Sequence, residues 1–503
     1  MGRIIKDKIV RFDNGMLTDI RNHSDRGFHI SVNFDIFTNP LRLTPYRTSE
    51  ANEDKALDIV RFTTSYDGSA TQIFGLGVVS GTSRVKIFQK TGANIAARIT
   101  GDWTASTSGE QTGGTARNEN VLFAYKGYLY GWRDGNILWR WGDFTSTPSF
   151  TDTYQTVTAF TDVAPPVLHP ADDIAYFFTD NIVHSLNGAS WTAGVLTLPS
   201  NLIITDAEPV GNLLAIACKP KAVGGKSVVF LWDRDSTLTT ITDKIDWGEG
   251  DLLYIGYIDG RLVGVTNYYT SNSTVSVTKG KLIIKVAVGQ KAVTVNEIEQ
   301  VDTTVSVGIR TIEAIANSKN IKDNKMHFTA SMTDDVQTYR GTMVVDGNGR
   351  LTFDYVEDEA KTTSLQSMYL VGNNWFIAHS DDGSVNRTND SAIYTTISVY
   401  QSQLRNGGDS SLTKKLKSVT IVTPPLKNSG QVVLKYRKDE ETSFTTILTH
   451  STANAIRNSA VNIVSTGAAL PQYKEIQFRL ESTNGAEITG LLSESEVIDD
   501  DIN

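Results

Sequence analysis

The chain reads as all-β: a β-propeller of about seven irregular blades, with an N-terminal extended arm and a C-terminal antiparallel β-sandwich. Three observations predict this. Short apolar strands recur in pairs around glycine-containing turns, as in Phe123–Trp139, Leu252–Val265 and Thr342–Phe353, with looser versions at Asp67-Gly68, Asn187-Gly188 and Asp382-Gly383. The pairs return roughly every 40–50 residues, the length of a four-stranded blade. Aromatic and β-branched residues are plentiful, and stretches rich in Ala, Leu, Glu and Lys are missing. Asn-Gly and Asp-Gly between apolar runs signal hairpins because both central residues of a type I′ turn need positive φ.

Taken in order, residues 1–55 form the arm. Phe28–Ile36 alternates apolar and polar as a half-buried strand does. Asn39–Arg47 is extended, since a residue before proline is pushed out of the helical region. Arg42 and Arg47 make this arm locally basic and are candidate subunit contacts. Residues 56–395 form the propeller, with strand clusters near 57–90, 118–142, 172–198, 207–233, 251–286, 311–355 and 365–390. Gly101–Arg117 and Asp143–Thr161, rich in Ser, Thr, Gly and Asp, read as long exposed loops. The best helical candidate is short, Ile312–Lys319, placed at a blade edge. Residues 396–490 form the sandwich: Lys414–Leu426 runs into a stop at Pro424-Pro425, and Gln431–Arg437 and Glu475–Leu480 alternate with period 2. Residues 491–503 are an acidic tail. The Pro424-Pro425 corner and Asp499 and Asp500 of the tail are further candidate contacts with a neighbour.

Bulk properties narrow the function. With 503 residues, 40% hydrophobic, 20% charged and a net charge of −9, the chain is globular, too long for one core, and not basic enough to hold nucleic acid by its phosphates. The single cysteine, Cys218, sits in the apolar run Leu213–Cys218 and reads as a small buried hydrophobe, so no internal disulfide is possible. Met1–Lys8 is charged throughout and lacks an apolar signal core, and no apolar run approaches the ~20 residues of a membrane span. A protein made in the cytoplasm is expected, without membrane insertion, one that leaves the cell only within a larger particle.

Catalytic constellations are not visible. The seven histidines (His23, His29, His169, His184, His327, His379 and His450) show no metal-ligand spacing, and neither a nucleophile elbow nor a phosphate loop occurs. Asp172-Asp173, Asp334-Asp335, Asp381-Asp382 and Glu357–Glu359 are acidic pairs that a glycosidase could use, although aspartates at such places ordinarily cap turns. Asp346–Arg350 puts an arginine where a calcium loop needs oxygen. Trp132, Trp139 and Trp141 crowd one hairpin pair with Tyr125, Tyr128 and Tyr130. They are a possible stacking surface for sugars or bases, or else packing between blades. No active site, cofactor or metal is expected.

An extended arm with Phe28–Pro45, a run of irregular hairpins and a sandwich opening on Lys414–Ile421 together resemble the nozzle (tail tubular protein B) group of short-tailed bacteriophages. The resemblance lies in order and texture over most of the chain. It implies a non-enzymatic virion component: a propeller on a platform, assembled with copies of itself into a ring, usually of six, around the channel through which DNA leaves. Other tail or adaptor proteins would be its neighbours and DNA only transiting cargo. An acidic wall suits that task, since a cationic one would bind the phosphates. Two alternatives stay open: a receptor- or glycan-binding propeller of a virion or cell surface, and a propeller glycosidase.

Overall fold

The computed structural model describes residues 3–498 apart from several stretches, the longest being 18–26, 91–102, 111–120, 271–278, 300–309, 357–364 and 389–396. Described residues are strands, turns and irregular segments, with no helix. Two-residue turns set many of the hairpins. Lys126-Gly127, Asp259-Gly260 and Asp323-Asn324 all carry positive φ (45° and 80°, 49° and 75°, 52° and 56°), the mirror-image turn that matches the twist of the flanking strands.

The strands group into seven four-stranded antiparallel blades. Blades 1 to 3 comprise Asp58–Glu110, Phe123–Thr156 and Val163–Thr197. Blades 4 to 6 comprise Leu202–Glu249, Asp251–Glu299 and Arg310–Val356. Blade 7 takes three strands from Leu365–Thr388 and its fourth from the other end of the chain: Glu50–Asp54 pairs antiparallel with Ser384–Thr388, Ala51 opposite Arg387. The first strands of successive blades touch in a complete circle, blade 7 against blade 1 included. The fold is a seven-bladed β-propeller.

Apolar side chains fill every seam of the wheel. Phe74 meets Trp141 edge-on at 5.8 Å between blades 1 and 2, and Trp132 meets Phe177 at 6.3 Å between 2 and 3. Tyr176 and Trp232 (5.7 Å) join blades 3 and 4, and Tyr254 and Phe328 (6.0 Å) join 5 and 6. His327 and Trp375 (5.5 Å), then Phe62 and Phe376 (6.1 Å), complete the circuit through blade 7. Such pairs add about 0.5–1.5 kcal/mol each beyond their area. Between blades 4 and 5 the Trp247 indole lies over Gly264, where a Cβ would collide with it; in blade 2 Trp139 lies likewise over Gly131.

The sandwich has two sheets. One contains Ile4–Ile9, Gly490–Val497, Lys414–Val422 and Arg457–Val461; the other contains Ile30–Val32, Ser398–Gln401, Ile476–Thr483, Gln431–Lys438 and Thr445–His450. Between them lie Val419, Ile421, Leu434, Ile447 and Leu480, all fully buried. The arm is stitched into its own chain. Ile4–Ile9 pairs with Gly490–Val497, Phe12 and Phe28 pack on Tyr400 at 5.3 and 5.7 Å, and Ile30–Val32 joins Ser398–Gln401 to Leu351–Val356 of blade 6. Sandwich and blade 6 thereby share one nine-stranded sheet.

Three expectations need correction. Ile312–Lys319 is not a helix but part of the first strand of blade 6, Arg310–Lys322, which the Asp323-Asn324 turn folds back onto Lys325–Asp334. Tertiary pairing overrides the helical propensity there. Gly101–Arg117 and Asp143–Thr161 are not simply loops: they contain Trp103–Glu110 and Ser149–Thr156, the outer strands of blades 1 and 2. Ser149–Thr156 has no fully buried residue, so its sequence carries little apolar alternation.

Adding a methyl at Gly131 or Gly264 should force an indole out of its seat. We expect Gly131→Ala and Gly264→Ala each to cost about 1–3 kcal/mol of stability, read from urea unfolding midpoints, and a neutral result would contradict the packing.

Candidate functional site

First strands of every blade but the fifth line a cavity of about 320 Å³ at the axis. Arg61, Phe62 and Thr63 of blade 1, Pro165 and Pro166 of blade 3, Asp206 and Glu208 of blade 4, Lys319 of blade 6 and Met368 and Tyr369 of blade 7 are among its walls. Alternation puts Asp206 and Glu208 on one face of Leu202–Val210, since side chains two apart on a strand share a face.

Lys319 organises this end of the axis. Its ammonium lies 2.7 Å from Asp206 Oδ2 and 3.0 Å from Glu208 Oε2, and donates to the carbonyls of Ile255 (2.8 Å) and Ala207 (3.3 Å). Asp206 Oδ2 also accepts the Ile255 N–H at 2.9 Å. One side chain of blade 6 thus holds groups of blades 4 and 5. Burial opposes its charge, but the two carboxylates outweigh burial and hold the Lys319 pKa above the usual lysine value. Burial pushes Asp206 up to about 6, with Lys319 pulling the other way. Sequence reading did not single out Asp206, Glu208, Lys319 or Arg61. The available signal was an Asp-x-Glu pair at alternate positions of an otherwise apolar strand.

The residues singled out in the sequence lie elsewhere. Trp132, Trp139 and Trp141 are at most 3% exposed and fill seams between blades, so they offer no stacking surface. Arg42 pairs with Glu487 of the same chain at 2.8 Å, so its charge is already answered internally. Pro424 is half-buried and Pro425 exposed, while Arg47, Asp499 and Asp500 lie outside the described residues. Asp172 accepts from the Ile174 N–H, from Tyr176 (3.3 Å) and from Arg234 of the next blade. Asp173 pairs with Lys126 at 2.8 Å, and Asp382 is outside the described residues. In the Asp346–Arg350 turn, Arg350 binds Asp346 at 2.7 Å where a calcium loop would need oxygen.

Histidines and the cysteine have structural surroundings. His169 Nε2 faces the Leu213 carbonyl at 3.1 Å, and His450 Nε2 faces Thr423 Oγ1 at 3.1 Å. Burial raises the Cys218 thiol well above its ordinary pKa, which makes it a poor nucleophile at neutral pH. Among the described residues no group of three His, Cys, Asp or Glu could hold a metal, and no helix is long and apolar enough to cross a membrane.

No family model matches the chain, and no curated protein matches it. Solved structures similar to it include BamB from Moraxella catarrhalis (11% identity, 69% of this chain and 98% of that one, TM-score 0.35). Another is a catalytically inactive virginiamycin B lyase from Staphylococcus aureus with quinupristin (10% identity, 68% and 98%, TM-score 0.40). A third is the N-terminal domain of Nup159 (10% identity, 77% and 97%, TM-score 0.35). Likeness at this level carries no statement about ligand or activity.

Two outcomes follow from this geometry. Replacing Lys319 with Met leaves the buried Asp206 and the half-buried Glu208 without the ammonium that pairs with both, and we expect a loss of about 3–5 kcal/mol in denaturant unfolding. His184 is an acid-sensitive group: burial lowers its pKa from 6.5 to about 4, with its ring stacked on Trp191 and hydrogen-bonded to Thr179 and Gly194. The unfolded chain takes up that proton first, so stability should fall as pH drops from about 6.5 to about 4, by about 3 kcal/mol in total. His184→Gln should flatten that slope in unfolding curves recorded across the window; an unchanged slope would place the sensitivity elsewhere.

Proposed function

We propose that this chain is a non-enzymatic structural subunit of a tailed-phage virion, of the tail-nozzle kind, assembling with copies of itself into a ring around the DNA exit channel. The observation that carries this reading is the nine-stranded sheet that runs from blade 6 through Ile30–Val32 into the sandwich. A catalytic or signalling propeller has no need of such a joint. A part that transmits load between a wheel and a platform gains from it, because paired strands, with Val32 opposite Phe353 at the joint, tie the two together. The site chemistry agrees: Asp206 and Glu208 are engaged by Lys319, and Asp172 by Arg234. Neighbouring tail or adaptor proteins would be its other partners, and DNA a passing cargo.

The outer face of the first sandwich sheet is the best candidate subunit contact. Val461 (58% exposed), Leu492 (39%) and Ile4 (46%) stand on that face, on three of its strands. An axial cavity with polar and aromatic walls favours a second reading, a glycan-binding propeller, which binding of the monomer on a glycan array would support.

Ring assembly is the discriminating outcome. Mass photometry or negative-stain microscopy of the purified protein should show closed multimers, hexamers by the family resemblance. Val461→Asp combined with Leu492→Asp should shift the population to monomers with the fold intact by circular dichroism. Monomers at all concentrations in the wild type, or hydrolysis of chromogenic glycosides, would sink the proposal.

A further inference from the structure

We propose that Lys319 and Asp206 close into an intramolecular isopeptide bond, with Glu208 as the proton carrier, so that the first strands of blades 4 and 6 are covalently joined at the propeller axis. This inference stands on the geometry of the axial cluster and does not depend on ring assembly.

Four features of the site support it. The amine and the carboxyl are already in contact, 2.7 Å from Nζ to Oδ2, held by strands 113 residues apart in sequence. Positioned reactants of this kind convert a bimolecular condensation into a unimolecular one, which removes the entropic part of its barrier. Glu208 Oε2 sits 3.0 Å from the same Nζ, within proton-transfer distance. Backbone partners for the product amide are in place: the Ile255 N–H donates to Asp206 Oδ2 at 2.9 Å, and the Ile255 carbonyl accepts from Nζ at 2.8 Å. The bond would therefore lie against Ile255 as a neighbouring strand does, both its C=O and its N–H satisfied. Finally, all three side chains line the axial cavity, which gives the released water somewhere to go.

The step balances without any oxidant or cofactor. Lys319 gives one ammonium proton to Glu208; the resulting amine attacks Asp206 Cγ, forming the Nζ–Cγ bond. The tetrahedral centre collapses with loss of one carboxyl oxygen, which takes the proton held by Glu208 and a second one from Nζ and leaves as water. The Lys319 and Asp206 charges become one neutral amide, and the Glu208 carboxylate keeps its charge where it is part-exposed to the cavity. That change is favoured where the charges are desolvated, since a buried amide with both partners met carries far less penalty than a buried ion pair.

The test is the mass of the native protein. Intact-mass spectrometry of the purified full chain should give a value about 18 Da, one water, below that of the sequence, and a tryptic digest should yield a branched peptide linking the Lys319 and Asp206 segments. Asp206→Asn should instead lose about 17 Da, one ammonia, and the branched tryptic peptide joining the two segments is what separates this cross-link from a succinimide at that residue. Glu208→Ala, checked for folding by circular dichroism, should remain at full sequence mass. A wild-type chain at full mass, or one cleaved normally by trypsin at Lys319, would overturn the proposal. A closed bond in the Glu208→Ala protein would overturn the role given to Glu208.

Discussion

The structure depends on one constraint: the seven sheets must close into a circle, and the chain can close it only by returning its N-terminal side to its C-terminal end. Six blades are each made from consecutive strands. The seventh lacks its outer strand until Glu50–Asp54 arrives from before blade 1 and pairs with Ser384–Thr388. Without that strand, blade 7 would leave the edge of Ser384–Thr388 unpaired, the kind of edge that invites pairing with other chains. With it, contact between first strands runs unbroken around the axis, and aromatic pairs can lock the seams because each blade has a neighbour on both sides.

Two further devices turn the wheel into a rigid part. At the axis, Lys319 crosses from blade 6 to bind Asp206 and Glu208 of blade 4 and the Ile255 carbonyl of blade 5. A buried ion cluster contributes little net stability against an apolar alternative, and its value lies in fixing which strands meet and where. At the periphery, the arm passes through the sandwich and blade 6 before it reaches blade 7. The same 50-odd residues therefore hold the platform to the wheel and the wheel to itself.

Much of this was legible in the sequence because hairpins leave local marks. Asp259-Gly260 between Leu252–Ile258 and Arg261–Val265 announces its turn, and the spacing of such pairs leads to seven blades. What was not legible is what depends on distance or on half-burial. Ser149–Thr156 faces solvent along much of its length, so it imitates a loop. Ile312–Lys319 has helical residues but is recruited as a strand by its partner. Glu50–Asp54 is polar and finds its place only through a strand more than 300 residues away. At the site, Trp132, Trp139 and Trp141 drew notice by their size although they serve packing. Asp206, Glu208 and Lys319 are unremarkable as single letters and acquire meaning only when the wheel brings blades 4 and 6 together.

Closure itself can be measured through a cross-link. Ala51 and Asn52 face Arg387 and Asn386 in the last blade, and of two adjacent antiparallel pairs one is always the close, non-hydrogen-bonded kind that a disulfide can bridge. The one native cysteine, Cys218, is buried and will not interfere. Oxidising the Ala51→Cys/Arg387→Cys and Asn52→Cys/Asn386→Cys proteins should yield an internal disulfide in at least one of them, seen as faster migration on a non-reducing gel and reversed by a thiol. Failure of both to cross-link in the folded protein would mean that the wheel is open, and the architecture described here would not stand.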